Sequence, residues 1–194
     1  MGKGRLEAFT DGVIAVIITI MVLEMKTPRG GDLAALAPLV PTFLTYVLSF
    51  VFIAIYWNNH HHLFQAVHHV TGSTLWANMH LLFWLSLVPF CTGWMDENHY
   101  QPVTVAAYGA VLLAAGIAYN LLTRVLLACH PHDSLLHKAL GADFKGKISV
   151  VLYAIAIPLA FVFKWAALAI YAAVALMWLV PDTRFERLLA EHRA

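Results

Sequence analysis

Charge is what this 194-residue sequence has least of. Asp, Glu, Lys and Arg make up 12% of it, while hydrophobic residues make up 61%; an ordinary soluble domain carries about 25% charged residues. With a mean hydropathy of +0.73, the chain cannot cover a water-facing surface and is expected to lie in lipid. The formal net charge of +1 excludes electrostatic pursuit of nucleic acid or of acidic substrates. Two cysteines, Cys91 and Cys129, both in apolar stretches, exclude a disulfide framework and read as buried free thiols. There is no nucleophile–base arrangement and no phosphate-cradling glycine loop, so an enzyme is not expected. No small-residue cleavage pattern follows the first apolar run, which begins after Arg5, Glu7 and Asp11; that run is expected to be a retained helix rather than a signal peptide.

What is present is a series of long hydrophobic runs. A helix needs about 20 mostly apolar residues to cross a bilayer. Such runs cover 6–25, 36–64, 75–95 and 103–129. Two shorter ones at 148–163 and 165–180 are joined tightly around Lys164 and resemble a helical hairpin. Pro28, Gly30 and Gly31 break the first run, Asp96 to Gln101 forms a polar turn, Pro102 suits the first position of a helix, and Pro181 ends the last run. The expected fold is therefore all-α, an integral membrane protein of six transmembrane helices, with residues 1–194 as one domain. No polar stretch is long enough to fold separately, and no strong internal repeat is visible. The segment 182–194 reads as a short amphipathic tail with Phe185, Leu188 and Leu189 on one side.

Loop charges orient the helices. With the N-terminus cytoplasmic, the inner segments hold nine cations (Lys3, Arg5, Arg124, Lys138, Lys145, Lys147, Arg184, Arg187, Arg193) and the outer segments three (Lys26, Arg29, Lys164). Both termini are expected on the cytoplasmic side of the plasma membrane. Trp57, Trp76, Trp84, Trp94, Trp165 and Trp178 fall mostly near helix ends, as an interfacial belt would.

The first helix is unusual. Arg5, Glu7 and Asp11 occupy its first two turns, and charges at membrane depth normally face protein or water; Asp11 is expected to pair with something. At 3.6 residues per turn, Val16, Thr19, Ile20 and Leu23 share one face, with Gly12 and Phe9 on its cytoplasmic continuation, while Asp11, Ile14, Ile18 and Met21 point away. Copies of this helix around an axis would form a narrow apolar constriction with a hydroxyl layer. Such a constriction can gate ions by dewetting. Packing alone also explains a Val–Thr–Ile–Leu stripe, and Thr19 can bond its own i−4 carbonyl.

Eleven histidines invite a second reading. On a continuing helix His61, Gln65 and His68 or His69 share a face, a spacing that can hold zinc. Consecutive histidines point in different directions, however, and no acidic or cysteine ligand lies nearby, so interfacial histidines bonding neighbouring helices, with no metal, are expected. Acidic residues at the outer ends, Glu24, Asp32, Asp96 and Glu97, either concentrate cations at a mouth or are solvated loop residues.

The string Arg5-x-x-x-Phe9-Thr10-Asp11 is similar to the R-x-x-x-F-S-D signature of the transmembrane protein 175 family, the lysosomal potassium channels and their prokaryotic relatives. The likeness continues through Gly12 to Thr19 and on to Leu23 and Glu24. Trp57-x-x-His60-His61 resembles the family's W-x-x-H-H pattern, and Asn78 and Leu87-Val88-Pro89-Phe90 resemble its third helix. From the fourth helix onward the likeness is mainly topological.

The resemblance implies a potassium-selective cation channel, modestly selective over sodium and without a selectivity-filter loop; the chain indeed has no T-V-G-Y-G string, Ala107-Tyr108-Gly109 being only a fragment of one. It implies a homotetramer in the bilayer, with potassium as the permeant ion, no cofactor, and the first helix lining the pore. By that likeness Val16 is the constriction, Thr19 the hydroxyl layer that contacts potassium, and Ile20 and Leu23 further apolar rings. Arg5, Thr10 and Asp11 would hold helices together through Trp57, His60 or His61, and Asn78. Thr10 replaces the usual Ser, and Val16 stands where Ile or Leu is common, so a Val ring closes the axis less completely. The competing classes are a proton-coupled or cation transporter, which would show repeats and broken helices, and a membrane enzyme or haem protein built on the histidines.

Overall fold

From Lys3 to Leu23 nothing interrupts the backbone hydrogen-bond ladder, and these residues form α1. Beyond it Pro28 lies in irregular chain and Gly30 adopts φ 133°, a conformation that costs glycine little. The computed structural model describes residues 2–131, 136 and 144–179; the expected tail 182–194 lies outside them.

The second run is expected from residue 36, but the α-helix begins later. Leu33–Leu39 is a 3₁₀ segment, capped by Asp32, whose carboxylate accepts from the Ala35 N–H at 3.1 Å. Pro38 and Pro41 lack the donors that a continuous α-ladder needs at their positions, so α2 spans Val40–Gln65. Thr71 then caps α3 (Gly72–Ser86) in a reciprocal capping box with Thr74.

The expected single helix 75–95 is two helices. Pro89 cannot donate to the carbonyl of Leu85. The chain closes α3 with the Leu87 N–H on the Trp84 carbonyl at 3.2 Å and restarts as α4 (Val88–Glu97), with Pro89 in its first turn. Together Gly72–Glu97 remains 26 residues of apolar helix, long enough to span. After a turn in which His99 and Tyr100 take φ 50° and 58°, α5 runs Pro102–Ala128, with Pro102 in its first turn as expected. The hairpin is α6 (Phe144–Leu159) and α7 (Lys164–Leu179), of 16 residues each; each is about 24 Å long, short of the ~30 Å hydrocarbon core. Counting α3 with α4, the described chain has six membrane helices, four of them long and apolar enough to cross by themselves, and no strand among the described residues.

The core is organised on α5, which packs α3 and α4 on one side and α6 on the other. Tyr108, Ala115, Leu122 and Leu126 are sealed from the surface along it. A directional hydroxyl chain fixes the position of α4 after the break. Thr92 donates to the Val88 carbonyl at 2.7 Å. Its single proton spent, it accepts from Ser49 at 2.8 Å, and Ser49 in turn accepts from Tyr108 at 3.0 Å. Three helices are tied by single hydroxyls, too weakly polar to interrupt a hydropathy run.

Gly109 sets the approach of α7 to α5. A Cβ there would overlap the hydroxyl and ring of Tyr171, a fully buried side chain whose hydroxyl donates to the Val105 carbonyl at 3.3 Å. Gly109→Ala is expected to destabilise the protein by about 1–3 kcal/mol through overpacking, read as a lower melting temperature of the detergent-purified protein. An unchanged melting temperature would mean that Tyr171 moves aside freely.

Candidate pore-lining face of the first helix

Helix α1 buries Leu6, Thr10, Ile14, Ile17 and Met21 against the rest of the protomer. Those positions step by three and four, one stripe of a 3.6-residue helix. The opposite stripe is uncovered: Val16 is 56% exposed and Leu23 80%, with Phe9, Gly12, Thr19 and Ile20 exposed beside them. Ile14, Ile18 and Met21 lie on the protein-facing side, as the helical register predicts.

A buried polar chain holds this rotation. Asn78 of α3 donates through Nδ2 to Thr10 Oγ1 at 2.9 Å. Its Oδ1 pairs with His60 Nε2 of α2, also at 2.9 Å. An amide oxygen only accepts, so Nε2 carries the proton and donates. Thr10, Asn78 and His60 are each 2% exposed or less, so these bonds replace water that cannot reach them. One turn along α2, Trp57 Nε1 donates to Asp11 Oδ1 at 2.8 Å. The partner expected for Asp11 is thus an indole, and the carboxylate faces away from the Val16 stripe.

The sequence left His60 and His61 as alternatives, and they divide the work. His60 enters the chain; His61 stacks on Trp57 with ring centres 5.8 Å apart and bonds Gln65 at 2.9 Å. Helix α2 ends at Gln65, so the register that would align His61 with His68 or His69 does not continue. Instead the His68 N–H donates to His130 Nε2 at 3.2 Å, and His130 Nδ1 bonds the Leu126 carbonyl at 2.7 Å. Among the described residues no three His, Cys, Asp or Glu side chains converge as metal ligands would. Arg5 is exposed and makes no side-chain hydrogen bond or ion pair with a described residue, so the structure does not bring it into the Thr10–Asn78–His60 chain.

Beside the uncovered stripe a groove of about 970 Å³ opens between α1, α2 and α4, lined by Val16, Ile20, Phe90 and Gly93 and reaching Glu24, Asp96 and Glu97 at its outer end. Helix α4, which restarts at the break, supplies Pro89, Phe90 and Gly93 to the groove's wall. The four outer acids have different fates. Glu97 pairs with Lys26 at 2.9 Å, Asp96 accepts from Thr42 at 2.7 Å, and Asp32 caps its 3₁₀ turn. Glu24 is left at the groove with no hydrogen bond or ion pair to a described residue. The Glu97 carboxylate raises the Lys26 pKa above its ordinary value.

Thr19 spends its proton on its own helix, donating to the carbonyls of Ala15 at 3.0 Å and Val16 at 2.8 Å. A hydroxyl that donates backwards turns its lone pairs outward, the polarity that a cation requires.

Removing the central member of the buried chain is expected to cost more than removing the exposed one. Asn78→Ala leaves two buried polar partners unsatisfied, at about 1–3 kcal/mol, whereas Trp57→Phe removes one bond at a half-exposed site and is expected to cost under about 1 kcal/mol. Thermal melts of the two variants in one detergent test the order; equal shifts would deny the buried chain its anchoring role.

The comparisons with known proteins follow this geometry. A family model, "Endosomal/lysosomal potassium channel TMEM175", matches residues 5–89, which include all but the first two residues of α1, the whole polar chain and the proline break. A potassium channel of Chryseobacterium sp. (strain P1-3) is 50% identical over 192 residues, covering 99% of this chain and 100% of that one. The crystal structure of a lysosomal potassium-selective channel TMEM175 homolog from Chamaesiphon minutus superposes with a TM-score of 0.77 at 29% identity, covering 92% of this chain and 96% of that one. An endosomal/lysosomal proton channel TMEM175 of Danio rerio is 33% identical over 100 residues, 45% of this chain and 19% of its own length. An all-helical, multi-pass membrane protein whose signature residues sit on one anchored first helix, and which aligns end to end with a bacterial relative at half identity, belongs to the TMEM175 family.

Proposed function

We propose that this chain forms a potassium-selective channel of the plasma membrane, a homotetramer whose pore is lined by α1, with both termini cytoplasmic. The single observation that carries the reading is the uncovered face of α1: Val16, Thr19, Ile20 and Leu23 stay exposed while the polar chain fixes the opposite face inward. A lipid-facing helix has no use for an outward hydroxyl oxygen in its apolar stripe, nor for acidic side chains along the adjoining groove; a cation path uses both. The end-to-end relative named a potassium channel and the solved relative titled potassium-selective support the ion assignment. The excess of Lys and Arg on the inner segments supports the orientation.

In this reading Val16 is the constriction. It offers no ligand, so a cation crosses it by shedding or compressing its water. Potassium holds its water less tightly than sodium and loses less. Thr19, one turn outward, supplies oxygens on the far side, and Ile20 and Leu23 extend the apolar lining. The permeant ion is cargo, and the reading requires no cofactor and no chemical step. Asp11 and Trp57 lie off the path and act as positioning groups for α1.

Reconstituted protein in planar bilayers is expected to show a reversal potential favouring potassium over sodium. Val16→Asn, which adds polar atoms at the ring, is expected to raise conductance severalfold and to weaken that preference. Thr19→Val keeps the shape, removes the oxygens, and is expected to lower potassium current. Currents unaffected by either substitution would reject α1 as the lining helix, and a mass other than that of a homotetramer would reject the assembly.

A further inference from the structure

A second groove, sharing no lining residue with the first, lies between α2, α5 and α6. Its volume is about 460 Å³, within the range of small-molecule sites. Its lining changes along the helix axis. At the inner end are Arg124 and Lys147, exposed and without a hydrogen bond or ion pair to another described residue. One turn deeper on α5 is Asn120, half-buried and likewise unpartnered among the described residues, across from Asn59 of α2. One further turn down is Gly116, where an added Cβ would meet only the Tyr56 hydroxyl at 3.7 Å; Phe52, Tyr56 and Tyr153 form the apolar floor. From Arg124 to Gly116 is eight residues, about 12 Å of rise. Trp178 of α7 closes one wall, its Nε1 donating to Ser149 Oγ at 2.9 Å.

The geometry points to a bound anionic phospholipid: phosphate between Arg124 and Lys147, the glycerol ester region beside Asn120 and Asn59, and one acyl chain along Gly116. Charge complementarity selects this occupant. Two cations with no partner among the described residues, above an apolar slot in the membrane, match an acyl chain with a negative head, and a basic pocket between transmembrane helices is the ordinary form of such a site. A peptide would find only the tyrosine hydroxyls of Tyr56 and Tyr153 in the slot's aromatic lower half, too few partners for its backbone groups. A zwitterionic lipid gains little from the two cations. The site is independent of the pore reading, because none of its residues lies on α1.

The test measures phospholipid retained by the purified protein, by native mass spectrometry after exchange into mixed micelles of phosphatidylglycerol and phosphatidylcholine. Wild-type protein is expected to retain phosphatidylglycerol in preference to phosphatidylcholine. Each neutralisation, Arg124→Gln or Lys147→Gln, is expected to weaken retention roughly fivefold, and charge-conserving Arg124→Lys to preserve it. Gly116→Leu, which fills the slot and leaves both cations in place, is expected to abolish retention as well. Adding glycerol phosphate, a head without chains, is expected not to displace the lipid. Retention that ignores head charge, or that survives Gly116→Leu, overturns the proposal, since the second result would mean surface attraction without a seated chain. Oligomer mass recorded in the same spectra separates loss of lipid from loss of fold.

Discussion

The rotational setting of α1 depends on one buried amide. Asn78 offers a donor to Thr10 and an acceptor to His60, and no other residue type of its size does both with fixed geometry. A helix turns 100° per residue, so a slip of one position in α1 would bury Val16 or Thr19 and expose Ile14 or Ile17. Apolar packing resists such a slip weakly in lipid, because the bilayer is as apolar as the protein interior and exchanging one aliphatic face for another costs little. A polar chain sealed from water makes the choice discrete: either all its members are paired or several are orphaned. The placement of every side chain along the proposed path follows from that choice, including the outward oxygen of Thr19.

Much of this was readable beforehand because membrane helices announce themselves by length and composition. The α1 and α5 segments fall within three residues of the expected spans, and the Val16 stripe follows from helical period alone. Thr10, Asp11, Trp57 and Asn78 stood out as polar groups in apolar surroundings, which must find partners. Which histidine would serve was not readable, since His60 and His61 are one residue apart and differ by 100° about an axis whose absolute rotation no sequence fixes. Only the position of Asn78 across the interface decides it.

The misplaced features share a physical cause. Pro38, Pro41 and Pro89 lie in apolar runs where hydropathy is blind to a missing N–H, so the 3₁₀ segment before α2 and the break at Leu87 went unseen. The chain Tyr108–Ser49–Thr92 was invisible for a similar reason: single hydroxyls in transmembrane helices commonly bond their own backbone, and only Thr92 does so here. The resemblance places Arg5 in the inter-helix network, but it sits exposed in the first turn of α1 with no hydrogen bond or ion pair to a described residue, and the sequence of one chain does not say what it meets there.

The two grooves together describe an electrostatic polarity along the membrane normal. The one beside α1 ends in Glu24, Asp96 and Glu97, and the one between α5 and α6 begins at Arg124 and Lys147. The acids lie at the ends of α1 and α4, and the cations lie at the end of α5 and the start of α6, so by chain order they sit on opposite sides of the bilayer. In the orientation proposed, the outer ends favour an approaching cation while the inner surface holds anionic headgroups. Cations placed directly at the inner end of an ion path would repel potassium at its exit. Placed on another face of the protomer, across α2 from the α1 stripe, they can fix the protein's depth against the anionic leaflet without opposing the current, and this separation gives a physical reason for α5 and α6 to carry the basic groups while α1 lines the proposed pore.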